Sequence, residues 1–215
     1  YKNMNSKDLP KKIAIFPLSY AIVFPQTILP LNIFEDRYVQ SIDDCMKGQR
    51  LFGMVQPKIR TGLKPEVYSV GCLGKITSFN ETNDKRFLIT LSGIIRFRIK
   101  EESQSMKMYR EFKVDYSDFI DDLNVLEIDG KQFDIAALLN KVKLFLEKKN
   151  YSVEIDELKK LNIDQLISTI SMISPFSIEE KQKLIETIGT KYRFKILEEI
   201  INFNLLDVYK YQTIQ

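Results

Sequence analysis

Histidine is absent from these 215 residues. Without an imidazole the chain holds no Ser-His or Cys-His couple, no HExxH zinc site and no histidine proton shuttle. Cysteine occurs twice, as Cys45 and Cys72, too few for a zinc cluster and with no CxxC spacing. Both read as reduced thiols used as small hydrophobes, which suits a reducing cytoplasm. Glycine is scarce, at 8 residues. Gly48 and Gly53 have the separation of a GxxxxGK[ST] loop, but Met54 follows instead of lysine, and no glycine completes a GxGxxG after Gly71 and Gly74. A phosphate cradle needs glycines where backbone meets anion, so nucleotide binding has no support. Long apolar runs are missing as well. Runs such as Ala21–Phe24 and Phe87–Ile89 are short against the ~20 residues of a membrane span. No basic head followed by an apolar stretch and a small-residue cleavage site opens the sequence, so no secretory signal is read.

What remains is an ordinary globular composition: 44% hydrophobic, 28% charged and 11% aromatic residues. The length admits one large domain or two small ones, and either buries a core of its own. Residues 1–118 carry 19 Lys/Arg against 13 Asp/Glu, whereas residues 119–215 carry 13 against 16. The total of +3 demands no nucleic-acid partner. Adjacent acids such as Asp43-Asp44, Asp121-Asp122 and Glu179-Glu180 are frequent, but charge-rich helix faces and loops produce such pairs routinely. The sequence does not read as an enzyme, and it implies no metal and no cofactor.

The rhythm changes part-way along. Ile13–Leu18, Thr27–Ile33, Leu51–Gln56, Ser69–Asn80, Arg86–Lys100 and Glu111–Phe119 are rich in β-branched and aromatic residues and bounded by turn signals, so six strands are predicted. Glu81-Thr82-Asn83-Asp84 reads as a hairpin loop. Gly93, inside the longest run, predicts a bulge or bend that lets the sheet curl. One helix interrupts this half, with Tyr38, Val39, Ile42, Cys45 and Met46 on its apolar side. From about Gly130 the period becomes helical: Lys131–Lys149, Ile155–Leu161, Asp164–Ile173 entered through Asn162, Ile178–Ile188 opened by the Ser177/Glu180 capping box and closed by Gly189, and Lys191–Tyr209 capped by Thr190. Short connections make this half a helical bundle.

Several segments resemble one family. Ile15-Phe16-Pro17-Leu18, then Phe24-Pro25, then Leu29-Pro30-Leu31-Asn32-Ile33-Phe34-Glu35-Asp36-Arg37-Tyr38 form the most specific block. Tyr68-Ser69-Val70-Gly71-Cys72-Leu73-Gly74-Lys75-Ile76 and Leu91-Ser92-Gly93-Ile94-Ile95-Arg96-Phe97-Arg98-Ile99 follow in order. Pro175-Phe176-Ser177-Ile178-Glu179-Glu180-Lys181-Gln182-Lys183-Leu184-Ile185 closes the series. Together, over about residues 12–203, they resemble the N-terminal, substrate-binding domain of Lon-type ATP-dependent proteases (protease La). Asp36 departs from the family, which often has proline there; aspartate suits a helix start equally well. The resemblance implies an α+β, bilobal fold: a curled β-sheet lobe of PUA-like pseudo-barrel type with one helix, residues 1–118, then a helical lobe, residues 119–215, packed against it. It also implies that the family's ATPase and Ser-Lys peptidase modules lie outside this chain, which is a stand-alone domain or a fragment.

The candidate site residues divide into two groups. Ser19–Gln26 connects two predicted strands yet holds Tyr20, Ile22, Val23, Phe24 and Pro25. Either this loop folds back and buries its apolar side chains, or it presents Tyr20, Ile22, Phe24 and Pro25 to apolar segments of unfolded chains. Arg96, Arg98 and Lys100 alternate with Ile95, Phe97 and Ile99, which puts three cations on one strand face. That row is either a solvated face or, for Arg96 and Arg98, part of the binding surface. Phe34, Ile33 and Leu31 read as core. Glu35 is expected to support the helix start, and Arg37 to pair with a carboxylate or cap backbone carbonyls rather than contact substrate. The leading expectation is a non-catalytic domain that binds unfolded or partly unfolded polypeptide for protein degradation. The alternative is a self-association module or one that docks on a protease or other partner. A third reading, an RNA-binding module, has against it the lack of an RNP-like aromatic motif and of a dense basic cluster. No membrane partner is expected.

Overall fold

Ile13 to Phe16 is an apolar run without polar alternation, the pattern of a strand buried on both faces. In the computed structural model, which describes residues 5–58, 66–84, 86–124 and 128–212, it forms β1 (Lys12–Pro17). The other strands among the described residues are β2 (Ile28–Ile33), β3 (Leu51–Val55), β4 (Val70–Glu81), β5 (Phe87–Ser103) and β6 (Arg110–Asp115), with helix α1 (Asp36–Met46) between β2 and β3. They belong to the first of two compact units, Tyr1–Val125; the second is Leu126–Gln215. The divide follows the 3-10 segment Ser117–Leu123, so that segment belongs to the sheet unit.

The sheet runs β2-β5-β4-β3-β1-β6, and β6 also pairs with β5. Five strands therefore close into a ring, and β2 lies outside the ring along the first half of β5. β1 and β3 are parallel; every other pairing is antiparallel. Curling needs irregularity, and β5 supplies it. Leu73 faces Ile95 while Gly74 faces Gly93, so Ile94 is an extra residue and the ladder shifts there. This is the bend that Gly93 predicts. Gly93 has a second reason: a Cβ on it would stand 2.0 Å from the Phe24 carbonyl oxygen. Inside the ring, Ile13, Ile15, Leu73, Ile95, Phe97, Phe112 and Phe119 form the core.

Several expectations shift, each for a local reason. The predicted strand Glu111–Phe119 stops at Asp115, whose carboxylate accepts the Ser117 N–H at 2.9 Å. That bond holds the Asp115 carboxyl down to about 2 and starts the turn into the 3-10 segment. Phe34 is not core but 63% exposed, one residue past β2. Glu35 occupies the N-cap position of α1 without capping a backbone N–H by its side chain; its carboxylate takes the Arg37 guanidinium at 2.7 Å, one of the two roles expected of Arg37.

The second unit contains α2 (Ile135–Lys148), α3 (Ile155–Leu158), α4 (Ile163–Ile173), α5 (Ile178–Glu186) and α6 (Thr190–Gln212). α2 starts later than predicted because Asp134 caps it through the Ala137 N–H, while Asp129 caps a separate 3-10 turn, Gly130–Gln132. Asn162 caps α4, and the Ser177/Glu180 capping box opens α5. α6 packs on α2, α4 and α5. Thr190 is its first residue; the hydroxyl does not turn back on the helix but donates to Asp164 at 2.6 Å. Between α4 and α5 the buried Lys181 ammonium donates to the Met172 carbonyl at 2.6 Å and the Ser171 carbonyl at 3.3 Å, capping the C-terminal end of α4.

Two measurements check these assignments. Gly93→Ala forces backbone apart from backbone, so urea unfolding should show a loss of about 2–3 kcal/mol. Burial pushes Lys181 down to about 8 from 10.5. The unfolded chain then binds more protons between those values, so stability rises with pH across that window. In urea titrations followed by helix circular dichroism from pH 8 to 10, the wild type should gain stability relative to Lys181→Met.

Candidate binding surface

The loop from Leu18 to Thr27 is anchored at both ends. The Leu18 N–H donates to the Val55 carbonyl at 3.0 Å, the Gln26 N–H to the Gly93 carbonyl at 2.9 Å, and the Gly93 N–H to the Thr27 carbonyl at 2.9 Å. The Thr27 hydroxyl accepts the Phe24 N–H at 3.0 Å and donates to the Phe24 carbonyl at 2.7 Å. Folded back in this way, the loop buries Ile22, Val23, Phe24 and Pro25. They act as a plug and present nothing to solvent. Tyr20 alone of the expected group stands out, 63% exposed, on a backbone with φ +61°. That left-handed conformation is uncommon for a bulky residue and is held here by the anchored segments around it.

The cationic row on β5 is not one either. Arg96 is only 3% exposed. Its Nε and Nη2 donate to the Asp122 carboxylate at 2.8 and 2.7 Å, and its backbone N–H reaches the same carboxylate at 3.0 Å. The guanidinium lies 4.5 Å above the Phe119 ring. Arg98 pairs with Asp118 at 2.9 Å and Lys100 with Asp115 at 3.1 Å. The end of β6 and the segment that follows it thus set an acid against each cation. Simple alternation fails because the bulge at Ile94 and this covering segment bury Ile95, Arg96 and Phe97 in succession.

A different surface emerges from the strand register. In antiparallel pairs, opposite residues share a face. Across β4, β5 and β2 the outward rows are Lys75–Ser92–Ile28, Ser78–Thr90–Pro30 and Asn80–Leu88–Asn32. All of these side chains are exposed or half-buried, and Lys75 is the sole charged one in the rows. The inward rows, Ile76–Leu91–Leu29, Phe79–Ile89–Leu31 and Glu81–Phe87–Ile33, are mostly buried. In a chain with 28% charged residues, so neutral a face is notable. Ile28 is 64% and Leu88 44% exposed on it, Pro30 is exposed between their rows, and exposed Phe34 follows β2. The sequence carries this face as period-two alternation, Ile28-Pro30-Asn32 against Leu29-Leu31-Ile33, and the strand register joins it to its neighbours.

Burial pushes the Cys45 thiol up to about 11 and raises that of Cys72 further, and both are free. Among the described residues no group of three His, Cys, Asp or Glu side chains is arranged to hold a metal ion, and no helix is long and apolar enough to cross a membrane. The sequence profile of the ATP-dependent protease La (LON) substrate-binding domain matches residues 12–202. The chain belongs to that family. A Lon protease of Anaeromyxobacter dehalogenans is 25% identical over 93% of this chain and 24% of its own length. One of Desulfosudis oleivorans is 28% identical over 95% of this chain and 26% of its own. The chain spans about a quarter of the length of these Lon proteases. Its fold is that of the Lon N-terminal domain protein from Xanthomonas campestris (TM-score 0.60, 19% identity, 87% of this chain and 97% of that one). The N-terminal domain of the Mycobacterium avium complex Lon protease is as similar (TM-score 0.59, 19% identity, 89% and 98%).

In this Lon substrate-binding domain, then, Arg96 is structural and the neutral outer face of β4–β5–β2 is exposed. Asp122→Ala strands a buried guanidinium, and urea unfolding should show a loss of about 3–5 kcal/mol. Arg98→Ala, which breaks a half-exposed pair, should cost under about 1 kcal/mol in the same assay.

Proposed function

We propose that this domain is a non-catalytic recognition module that binds unfolded or partly unfolded polypeptide for ATP-dependent proteolysis in the cytoplasm. The observation that carries the reading is the neutral, partly apolar outer face of β4–β5–β2. Unfolded chains expose apolar side chains of every shape, and a flat face with few charges tolerates many of them. Membership in the substrate-binding family supports the role. Tyr20 adds an exposed aromatic ring, and a ring with few rotatable bonds loses little entropy when it is covered. Ile22, Phe24 and Pro25 serve this surface by holding the loop in place, and the acid-paired Arg98 borders the covering segment.

Pairing of each β5 cation with an acid weighs against RNA, which needs uncompensated positive charge. The outer edge of β2, which no other described strand joins, favours partner docking as the second reading.

Fluorescence anisotropy with a labelled, reduced and carboxymethylated protein tests the proposal. Binding should be confined to the unfolded form and vary little with salt. Leu88→Asp should weaken it roughly tenfold, equivalent to about 1.4 kcal/mol, without loss of folding. Tyr20→Gly should weaken it while leaving the melting temperature equal or higher, since glycine relaxes the left-handed backbone. Equal affinity for the folded control would overturn the reading.

A further inference from the structure

Among the described residues β2 ends the sheet, so one of its edges has no strand beside it. Which groups face that edge follows from the ladder. The Gly93 N–H bonds to the Thr27 carbonyl, which sets Thr27, Leu29, Leu31 and Ile33 as the residues whose main-chain groups point at β5. Ile28, Pro30 and Asn32 therefore turn their main-chain groups the other way. Pro30 agrees, since it has no N–H to give to its partner Thr90. All three residues are exposed, and among the described residues none of their main-chain groups takes part in a bond outside the ladder. The edge offers two N–H groups, at Ile28 and Asn32, and three carbonyls.

We infer that this edge holds the client's main chain: an extended segment of unfolded polypeptide adds to the sheet as a further strand beside β2. The inference rests on the proposed binding of unfolded polypeptide and names the conformation that is recognised. Hydrogen-bond complementarity selects the occupant. An extended segment has free N–H and carbonyl groups at a two-residue spacing, matching Ile28, Pro30 and Asn32, whereas helical and folded segments have theirs satisfied internally. Bonding to main chain is indifferent to client sequence, and alternate client side chains then extend the neutral outer rows. Pro30 acts as a filter. A client residue opposite it keeps one bond, from its own N–H to the Pro30 carbonyl. Two copies of this domain pairing about Pro30 in two-fold symmetry would lose both bonds at the centre, so self-pairing is penalised more than client binding.

The test uses the full chain and the same reduced, carboxymethylated protein as probe. Amide exchange by NMR should slow at Ile28 and Asn32 when the probe is added. Asn32→Pro removes an outward donor without touching the β5 ladder and should weaken binding about fivefold, the value of one hydrogen bond. Pro30→Val restores a donor and should strengthen binding by a similar factor. An alternating Val-Thr decapeptide should compete with the probe, and the same peptide N-methylated on every second residue should not. Unchanged exchange at Ile28 and Asn32 together with equal competition by both peptides overturns the inference while leaving the proposed function standing, even where Asn32→Pro fails to fold. Dimerisation of Pro30→Val with no gain for the probe assigns the edge to a second copy and also overturns it. Failure of the wild type to bind the probe overturns the proposed function itself.

Discussion

Asp122 stands where one edge of β5 has no strand beside it among the described residues. Along that edge β2 accompanies β5 only as far as Ser92, and β6 takes over only at Arg98. In the interval, the Arg96 N–H finds a side-chain carboxylate in place of a neighbouring carbonyl, and the Arg96 guanidinium closes on the same group. Gly93 finds the loop residues Gln26 and Thr27. The open stretch of that edge is thus covered by one acid and one turn of loop. Because an unpaired amide or guanidinium inside the fold is costly, the position of the 3-10 segment Ser117–Leu123, of Phe119 beneath Arg96, and of the plug Ile22–Phe24 all follow from filling this interval.

Most of the fold was legible because its signals are local. Period-two runs located the strands, the Ser177/Glu180 and Asn162/Gln165 spacings located helix starts, and Gly93 announced the bend. What could not be read depends on contacts far apart in sequence. Nothing near Arg96 shows that Asp122, 26 residues on, will neutralise it. Nothing in Ile22-Val23-Phe24 shows whether they meet solvent or Gly93. The candidate site was therefore the least legible part: the loop reads equally as exposed or folded back, only Tyr20 of its candidates stands out, and the neutral face needs the register of three strands before its rows can be assembled.

The helical unit handles polar groups by the same economy. Arg193 lies buried near the start of α6, with Asp164 at 3.3 Å, the Ser168 hydroxyl at 3.4 Å and the Thr187 carbonyl at 3.4 Å around it. Thr190 donates to the same Asp164. One acid on α4 thus positions the first turn of α6, while Lys181 answers the open carbonyls at the other end of α4. Hydrophobic packing, including the stacked rings of Phe145 and Phe176 at 5.4 Å, fills the space between these polar ends.

The closing strand pair has a temporal consequence. β1 is bonded to β6, and Lys12 meets Glu111 across 99 positions of sequence. During synthesis at about 5–20 residues per second, roughly 5–20 s pass between the emergence of one partner and that of the other. Through that interval the apolar stretch Ile13–Phe16 has only β3 to lie against, and the ring cannot form. A newborn copy of this domain is, for those seconds, itself the kind of exposed apolar chain that the finished domain is proposed to recognise.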